Sequence, residues 1–232
     1  MKAVLPVALV AALCAHGAFA GDVTGAYVGL DYSRFNDDSA GTLSKTSLKG
    51  SLEYGFTRDF SVQGDLAMMD FGLSNADAST LQLHGIYHAS ANASVGAFVG
   101  RDDVEGNGFN YLGLEGGFEQ GKLEGEAYVG TADSDGINGS LLGLGVMYNT
   151  SDSFAFGASH DRLDVEGFDA SRTQLEAEYH MDKVTLSAQI GTIDIEDAGS
   201  EGYFGLGARV NFGAKRGTTF ERRGLLEVIP GL

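Results

Sequence analysis

From Gly202 to Phe212 the chain reads GYFGLGARVNF, and every second residue is apolar: Phe204, Leu206, Ala208, Val210 and Phe212. Tyr203, Gly205, Gly207, Arg209 and Asn211 stand between them. In an extended strand successive side chains point to opposite faces, so one face of this stretch suits hydrocarbon and the other suits water. The pattern recurs along the chain. Twelve alternating segments are expected near residues 23–35, 43–56, 60–72, 80–89, 93–101, 109–119, 122–132, 139–149, 153–163, 171–181, 184–194 and 202–212. The first sets Ala26, Val28, Leu30 and Tyr32 against Tyr27, Gly29 and Asp31; the second sets Leu48, Leu52, Tyr54 and Phe56 against Lys49, Ser51 and Glu53. The seventh sets Leu123, Ala127 and Val129 against Lys122, Glu124, Glu126 and Tyr128, and the tenth sets Leu175, Ala177, Tyr179 and Met181 against Arg172, Gln174, Glu176, Glu178 and His180.

The connections alternate in kind. Tight turns fall at Thr57–Asp59, Ala89–Asn92, Gln120-Gly121, Thr150–Asp152 and Asp182-Lys183. Longer acidic connections fall at Asn36–Thr42, Leu73–Ser79, Asp102–Gly108, Asp133–Asn138, Asp164–Ala170 and Ile195–Glu201. From Arg58 through Ala91, Gln120, Ser151 and Asp182 to Gly213 the spacings are 33, 29, 31, 31 and 31 residues, a steady hairpin period. A soluble β-sandwich shares the alternation, but it has edges to protect, whereas a closed barrel has none. Aromatic residues separate the two. Tyr54, Phe56, Phe60, Tyr87, Phe118, Tyr148, Phe154, Tyr179 and Phe212 lie close to tight turns on the apolar phase, as an interfacial girdle would. Tyr32, Phe35, Phe71, Phe109 and Phe204 are candidates for a second girdle at the other end. The fold class expected is all-β: a closed antiparallel transmembrane β-barrel of about twelve strands, ten to fourteen being compatible, wired as an up-and-down meander.

Residues 1–20 have the form of a secretory signal peptide: Lys2, an apolar run through Cys14, and Ala18-Phe19-Ala20 before Gly21. Cleavage there removes the chain's one cysteine, so disulfide and thiolate chemistry are excluded from the mature protein. It also removes Lys2, leaving 14 basic against 32 acidic residues, a net charge near −18 that disfavours a nucleic-acid partner. No apolar run reaches the roughly 20 residues of a membrane helix.

With its leader, GAYVGLDYSRF as opening strand, the hairpin period and GLGARVNF as closing strand, the chain resembles the small porin-like outer-membrane β-barrels of bacteria. The resemblance implies recognition by the barrel-assembly machinery through Phe204, Leu206, Ala208, Val210 and the final Phe212. In that family the signal ends the chain, but here GAKRGTTFERRGLLEVIPGL follows from Gly213. Trimeric porins fold one long loop into the channel. No connection here has that length, so a monomer is expected.

Little in the sequence points to catalysis. His160 follows Ser159 directly, which puts the two on opposite faces of a strand. His84 and His88 share a face about 13 Å apart, too far to hold one metal. Neither a catalytic residue, a metal site nor a cofactor is expected, and His84 and His88 read as hydrogen-bonding lumen groups. Asp133-Ser134-Asp135-Gly136 is a fragment of a calcium loop without its later Glu. The carboxylates of the longer connections, Asp102 and Asp103 among them, read as a solvated rim; the functional alternative is weak, divalent-dependent contact with lipopolysaccharide.

The expected organisation is therefore a signal peptide at 1–20, a barrel at 21–213 and a C-terminal periplasmic tail at 214–232, in the bacterial outer membrane with both termini in the periplasm. The tail carries Lys215, Arg216, Arg222 and Arg223 ahead of Leu225, Leu226, Val228 and Ile229. It suits the inner-leaflet surface, the acidic lumen as a plug, or a disordered tail. The function expected is a passive channel for small hydrophilic solutes; the alternative is a non-conducting structural or adhesive barrel. In the register above the lumen is lined by Lys49, Glu53, Asp65, Glu115, Lys122, Glu124, Glu126, Arg172, Glu176, Glu178 and Arg209, with Asp31, Glu119 and Asp161 on the same phase. Acids outnumber bases, so an open pore should prefer cations. The remaining partners expected are outer-membrane lipids.

Overall fold

The structure, a computed structural model, describes residues 21–36, 43–72, 77–134, 137–196, 198–213 and 217–230. Residues 1–20, Asp37, Asp38, Asp135, Asp197, Lys215 and Arg216 lie outside the described residues. Among the described residues twelve strands form one closed antiparallel barrel: β1 (Asp22–Phe35), β2 (Ser44–Gly55), β3 (Phe60–Phe71), β4 (Asp77–Ser90), β5 (Ala93–Val104), β6 (Asn107–Gln120), β7 (Leu123–Ser134), β8 (Ile137–Asn149), β9 (Phe154–Val165), β10 (Phe168–Met181), β11 (Val184–Ile195) and β12 (Gly199–Gly213). Each strand pairs with its sequence neighbours, and β12 returns to β1 with Val28 opposite Val210 and Leu30 opposite Ala208. Closure leaves no unpaired edge, which a wall set in hydrocarbon cannot tolerate.

The side-chain period sorts the wall as the sequence pattern requires. Leu30, Leu81, Leu114, Leu144 and Ile190 project outward and are 54–64 % exposed to surroundings that water would make costly and lipid makes favourable. At the tight-turn end Phe56, Phe60, Tyr87, Phe118, Tyr148, Phe154, Tyr179 and Phe212 are exposed on the same face. Neighbouring rings pack: Phe60 with Tyr87 at 5.0 Å and Phe154 with Tyr179 at 4.7 Å. The second girdle needs correction. Tyr32 is exposed and Phe204 half-buried against it, but Phe35 and Phe71 are buried inside the barrel and Phe109 packs against the same interior. All three fall on the odd, inward phase of their strands. Phase, not nearness to a loop, decides which way they point.

Local chemistry sets the turns. The Thr57 hydroxyl accepts from the amides of Asp59 and Phe60 at 3.2 and 3.0 Å, and Ser151 serves Ser153 and Phe154 at 3.3 and 3.1 Å. At the other end the acidic connections after the first are shorter than the sequence suggests. Glu105 and Gly106, at φ 52° and 90°, close β5 onto β6 in two residues, so Asp102 and Asp103 belong to a strand.

Candidate functional site in the barrel lumen

The described tail, Gly217 to Pro230, lies within the lumen, one of the three placements its composition allowed; it is not a segment hanging outside the barrel. Near the turn end the Thr219 amide and hydroxyl donate to Glu53 at 2.8 and 2.7 Å. Phe220 then exchanges two hydrogen bonds with Gln63, at 2.7 and 3.2 Å, as a strand partner would. A one-turn helix, α1 (Leu225–Val228), reaches the loop end.

The loop-end half of the lumen is apolar and seats the tail's apolar residues. Leu225 and Val228 pack with Phe98, Tyr111, Tyr128, Leu141 and Leu163. Leu226 packs with Ala67, Met69, Phe71 and Ala78, and Ile229 with Phe35, Ile193 and Tyr203. Burying each such side chain contributes about 2 kcal/mol. Polar contacts fix the register. Lys45 donates to the Leu226 carbonyl at 2.6 Å and also to that of Ile229, while Asp102 accepts from the Leu226 amide at 3.1 Å and from Thr80 at 2.6 Å.

The middle of the lumen is a charged lattice shared by wall and tail. His84 lies between Asp65, at 2.7 Å, and Glu115, at 2.5 Å. Arg223 reaches Glu115 at 3.2 Å and both oxygens of Glu126 at 3.0 and 2.9 Å, with its guanidinium 4.5 Å over the ring of Tyr128. Glu227 pairs with Arg222 at 2.5 Å and Lys49 at 3.4 Å, and Lys49 also pairs with Asp31 at 2.8 Å. Arg172 joins Asp161 at 2.8 Å to the Glu227 carbonyl at 2.6 Å. Burial alone would lift Glu227, but Arg222, Lys49, Lys45 and Arg172 outweigh it and hold the carboxyl well below its ordinary range. Burial would likewise depress the Arg223 guanidinium, yet Glu126 and Glu115 hold it above its ordinary value.

Beside the tail, toward the turn end, a cavity of about 950 Å³ remains. Glu124, Glu126, Glu176, Glu178, Arg209 and Glu221 contribute to its wall. Arg209 joins Glu178, at 3.0 Å, to Glu221 of the tail, at 3.1 Å. Glu176 accepts from Gln189 at 3.3 Å and, among the described residues, has no cationic partner within 4 Å.

Of the residues expected to line the lumen, Lys49, Glu53, Asp65, Glu115, Glu126, Arg172, Glu176, Glu178 and Arg209 face it, and Glu124 stands at its turn-end mouth against Asn149. Lys122 does not. It sits exposed in the turn before β7 and donates to the Thr150 carbonyl at 2.8 Å, because the strand begins one residue later than expected. In β12, Leu206, Ala208, Val210 and Phe212 face outward, with Phe204 half-buried on the same face. Lys45 and Asp102 escaped the sequence reading. Lys45 shares the phase of Lys49, and Asp102 shares that of Phe98, so both signals were present. His84 meets carboxylates and His160 meets Thr173 at 2.8 Å, which are hydrogen-bonding roles. Among the described residues no cluster of three or more histidine, cysteine and carboxylate side chains could hold a metal ion.

The sequence matches the model of the outer membrane protein beta-barrel domain over residues 5–188. The chain belongs to that family. Among solved structures, this outer membrane β-barrel is similar to the KdgM porin in complex with disordered oligogalacturonate, at TM-score 0.64 and 11 % identity over 80 % of this chain and 99 % of that one. The NanC porin gives 0.63 at 9 % identity over 79 % and 98 %, and an outer membrane channel from Pseudomonas putida F1 gives 0.58 at 15 % over 85 % and 99 %. At these identities the likeness is one of fold. No curated protein matches the sequence.

Proposed function

We propose that this outer-membrane barrel is a passive channel for small hydrophilic solutes, cation-preferring, which rests closed with its own C-terminal segment in the lumen. Membership of an outer-membrane barrel family and fold-level similarity to three proteins named as porins or channels support the reading. The observation that carries it is the cavity beside the tail, where Glu176 and its acidic neighbours line open space instead of packing into a dry core. A dry interior would make such carboxylates costly, and a wetted one turns them into a field that draws cations.

The second reading, a non-conducting structural or adhesive barrel, draws on the tail itself, whose apolar residues complete three clusters with the wall. Planar-bilayer recording separates the two. A channel gives discrete current steps with a reversal potential set by cations under a salt gradient, and a structural barrel gives none at any voltage.

The same proposal includes export by a signal peptide cleaved after Ala20, the tight turns and the start of β1 on the periplasmic side, a monomer in contact with lipid and lipopolysaccharide, and insertion by the assembly machinery through the outward face of β12; the tail, threaded up the lumen, carries Ile229 and Pro230 to the opposite, loop end, so only the N-terminal end keeps the periplasmic side expected for both. Neither a catalytic residue nor a cofactor enters it.

A further inference from the structure

We propose that Glu115, Glu126 and Tyr128 form a recognition site for guanidinium-bearing peptides, and that Arg223 occupies it as an internal mimic of the ligand. The proposal deepens the channel reading by naming a solute class, but the binding it asserts stands apart from conduction.

The site is built for a planar fork. The two terminal nitrogens of Arg223 meet the two oxygens of Glu126 at 3.0 and 2.9 Å, and Nε meets Glu115 at 3.2 Å. The face of the group lies 4.5 Å from the Tyr128 ring centroid. An ammonium group is a compact point charge. It cannot engage two carboxylates edge-on and an aromatic ring face-on in this way. Both carboxylates are anchored in the wall: His84 holds Glu115 at 2.5 Å, and β7 carries Glu126 and Tyr128 two residues apart on one face.

The wall also reads the main chain around the arginine. Gln82 accepts from the Arg223 amide at 2.9 Å, and the Tyr111 hydroxyl donates to its carbonyl at 3.0 Å. Asp102 accepts from the amide of Leu226 three residues on, at 3.1 Å. Gly224 between them stands at φ 129° against Asp102 and Tyr111, a backbone that favours glycine. These contacts would grip an arginine-containing peptide that turns after the arginine as this segment does. Glu126, Tyr128 and Arg223 all line the turn-end cavity, so an incoming guanidinium reaches the site without unfolding the wall. By displacing Arg223 it would loosen the tail, which gives a closed channel a ligand that opens it.

The test uses the full chain carrying Arg223→Ala, in detergent, with ethylguanidinium and ethylammonium at matched concentration and ionic strength. Ethylguanidinium should raise the unfolding midpoint of the variant and bind about tenfold more tightly than ethylammonium. Adding Glu126→Gln should abolish both effects. Equal responses to the two cations would overturn the proposal. If the variant does not fold, the yield of heat-modifiable barrel on refolding from urea gives the same comparison. For the wild type, arginine amide should raise open probability in a bilayer more than lysine amide does, and equal effects would count against the proposal. A wild type that never conducts, joined to guanidinium-specific rescue, would refute the channel and leave the binding site standing.

Discussion

The imidazole of His84 in β4 stacks on the ring of Phe220 in the tail, with centroids 6.3 Å apart and planes 19° from parallel. This contact ties the wall's most buried histidine to the first apolar residue of the segment that fills the lumen. Phe220 is 2 % exposed, and its backbone is paired with Gln63 on both sides.

Phe220→Ala should therefore release the tail without opening the barrel. Large-to-small changes at buried aromatic sites cost about 3–5 kcal/mol, here charged to docking. Trypsin checks it. Arg222 and Arg223 are buried in the intact protein, so cleavage after them should be slow in the wild type and fast in the variant. Equal rates would show that the tail is held by something else.

The share of docking that rests on Glu227 should respond to acid. The Glu227 carboxyl is held below its usual value of 4.5 by Arg222, Lys49, Lys45 and Arg172. A depressed carboxylate contributes stability above its unfolded value and loses it as pH falls through the folded one. The difference in tail cleavage between the wild type and Glu227→Gln, at matched trypsin activity, should thus be full at about pH 6 to 8, far above the carboxylate range, and shrink in acid. Glu227→Gln should accelerate cleavage at neutral pH by removing the pairs with Arg222 and Lys49.

Much of this arrangement was legible in the sequence, for a physical reason. Alternation has a period of two, so once Leu30 is outward, Asp31 and Tyr27 are inward, and the register of one strand fixes its neighbours through the hairpin period. That logic placed Glu53, Asp65, Glu115, Glu126, Asp161 and Glu178 in the lumen. It failed where a strand end was misjudged. Stopping the fifth segment at Arg101 made Asp102 a rim residue, and starting the seventh at Lys122 made a turn residue a lumen one. The path of the tail was legible only as one of three options. Charge brought it toward the acidic lumen, but the collar of Met69, Phe71, Leu141 and Ile193 that seats it comes from several strands, and no local pattern gathers them.

The outward belt makes its own prediction. Leu114, near the middle of β6, is 64 % exposed toward lipid. Leu114→Arg should destabilise the folded barrel by about 2–4 kcal/mol, read from urea unfolding in liposomes. A change near zero would argue that this face does not meet hydrocarbon.

Selectivity follows the acids at the turn-end mouth. Glu124→Gln with Glu126→Gln should move the reversal potential under a salt gradient toward zero, and it should also loosen the tail, since Glu126 holds Arg223. An unchanged potential, or anion preference in the wild type, would contradict an acidic conduction path.

Single-channel recording of the full chain beside a form lacking residues 214–232, each first shown to be folded by heat-modifiable migration, tests the central claim most directly. A channel closed by its own tail predicts a low, intermittent conductance for the full chain and a larger, steady one for the shortened form. Equal conductances, or silence from both, would contradict it.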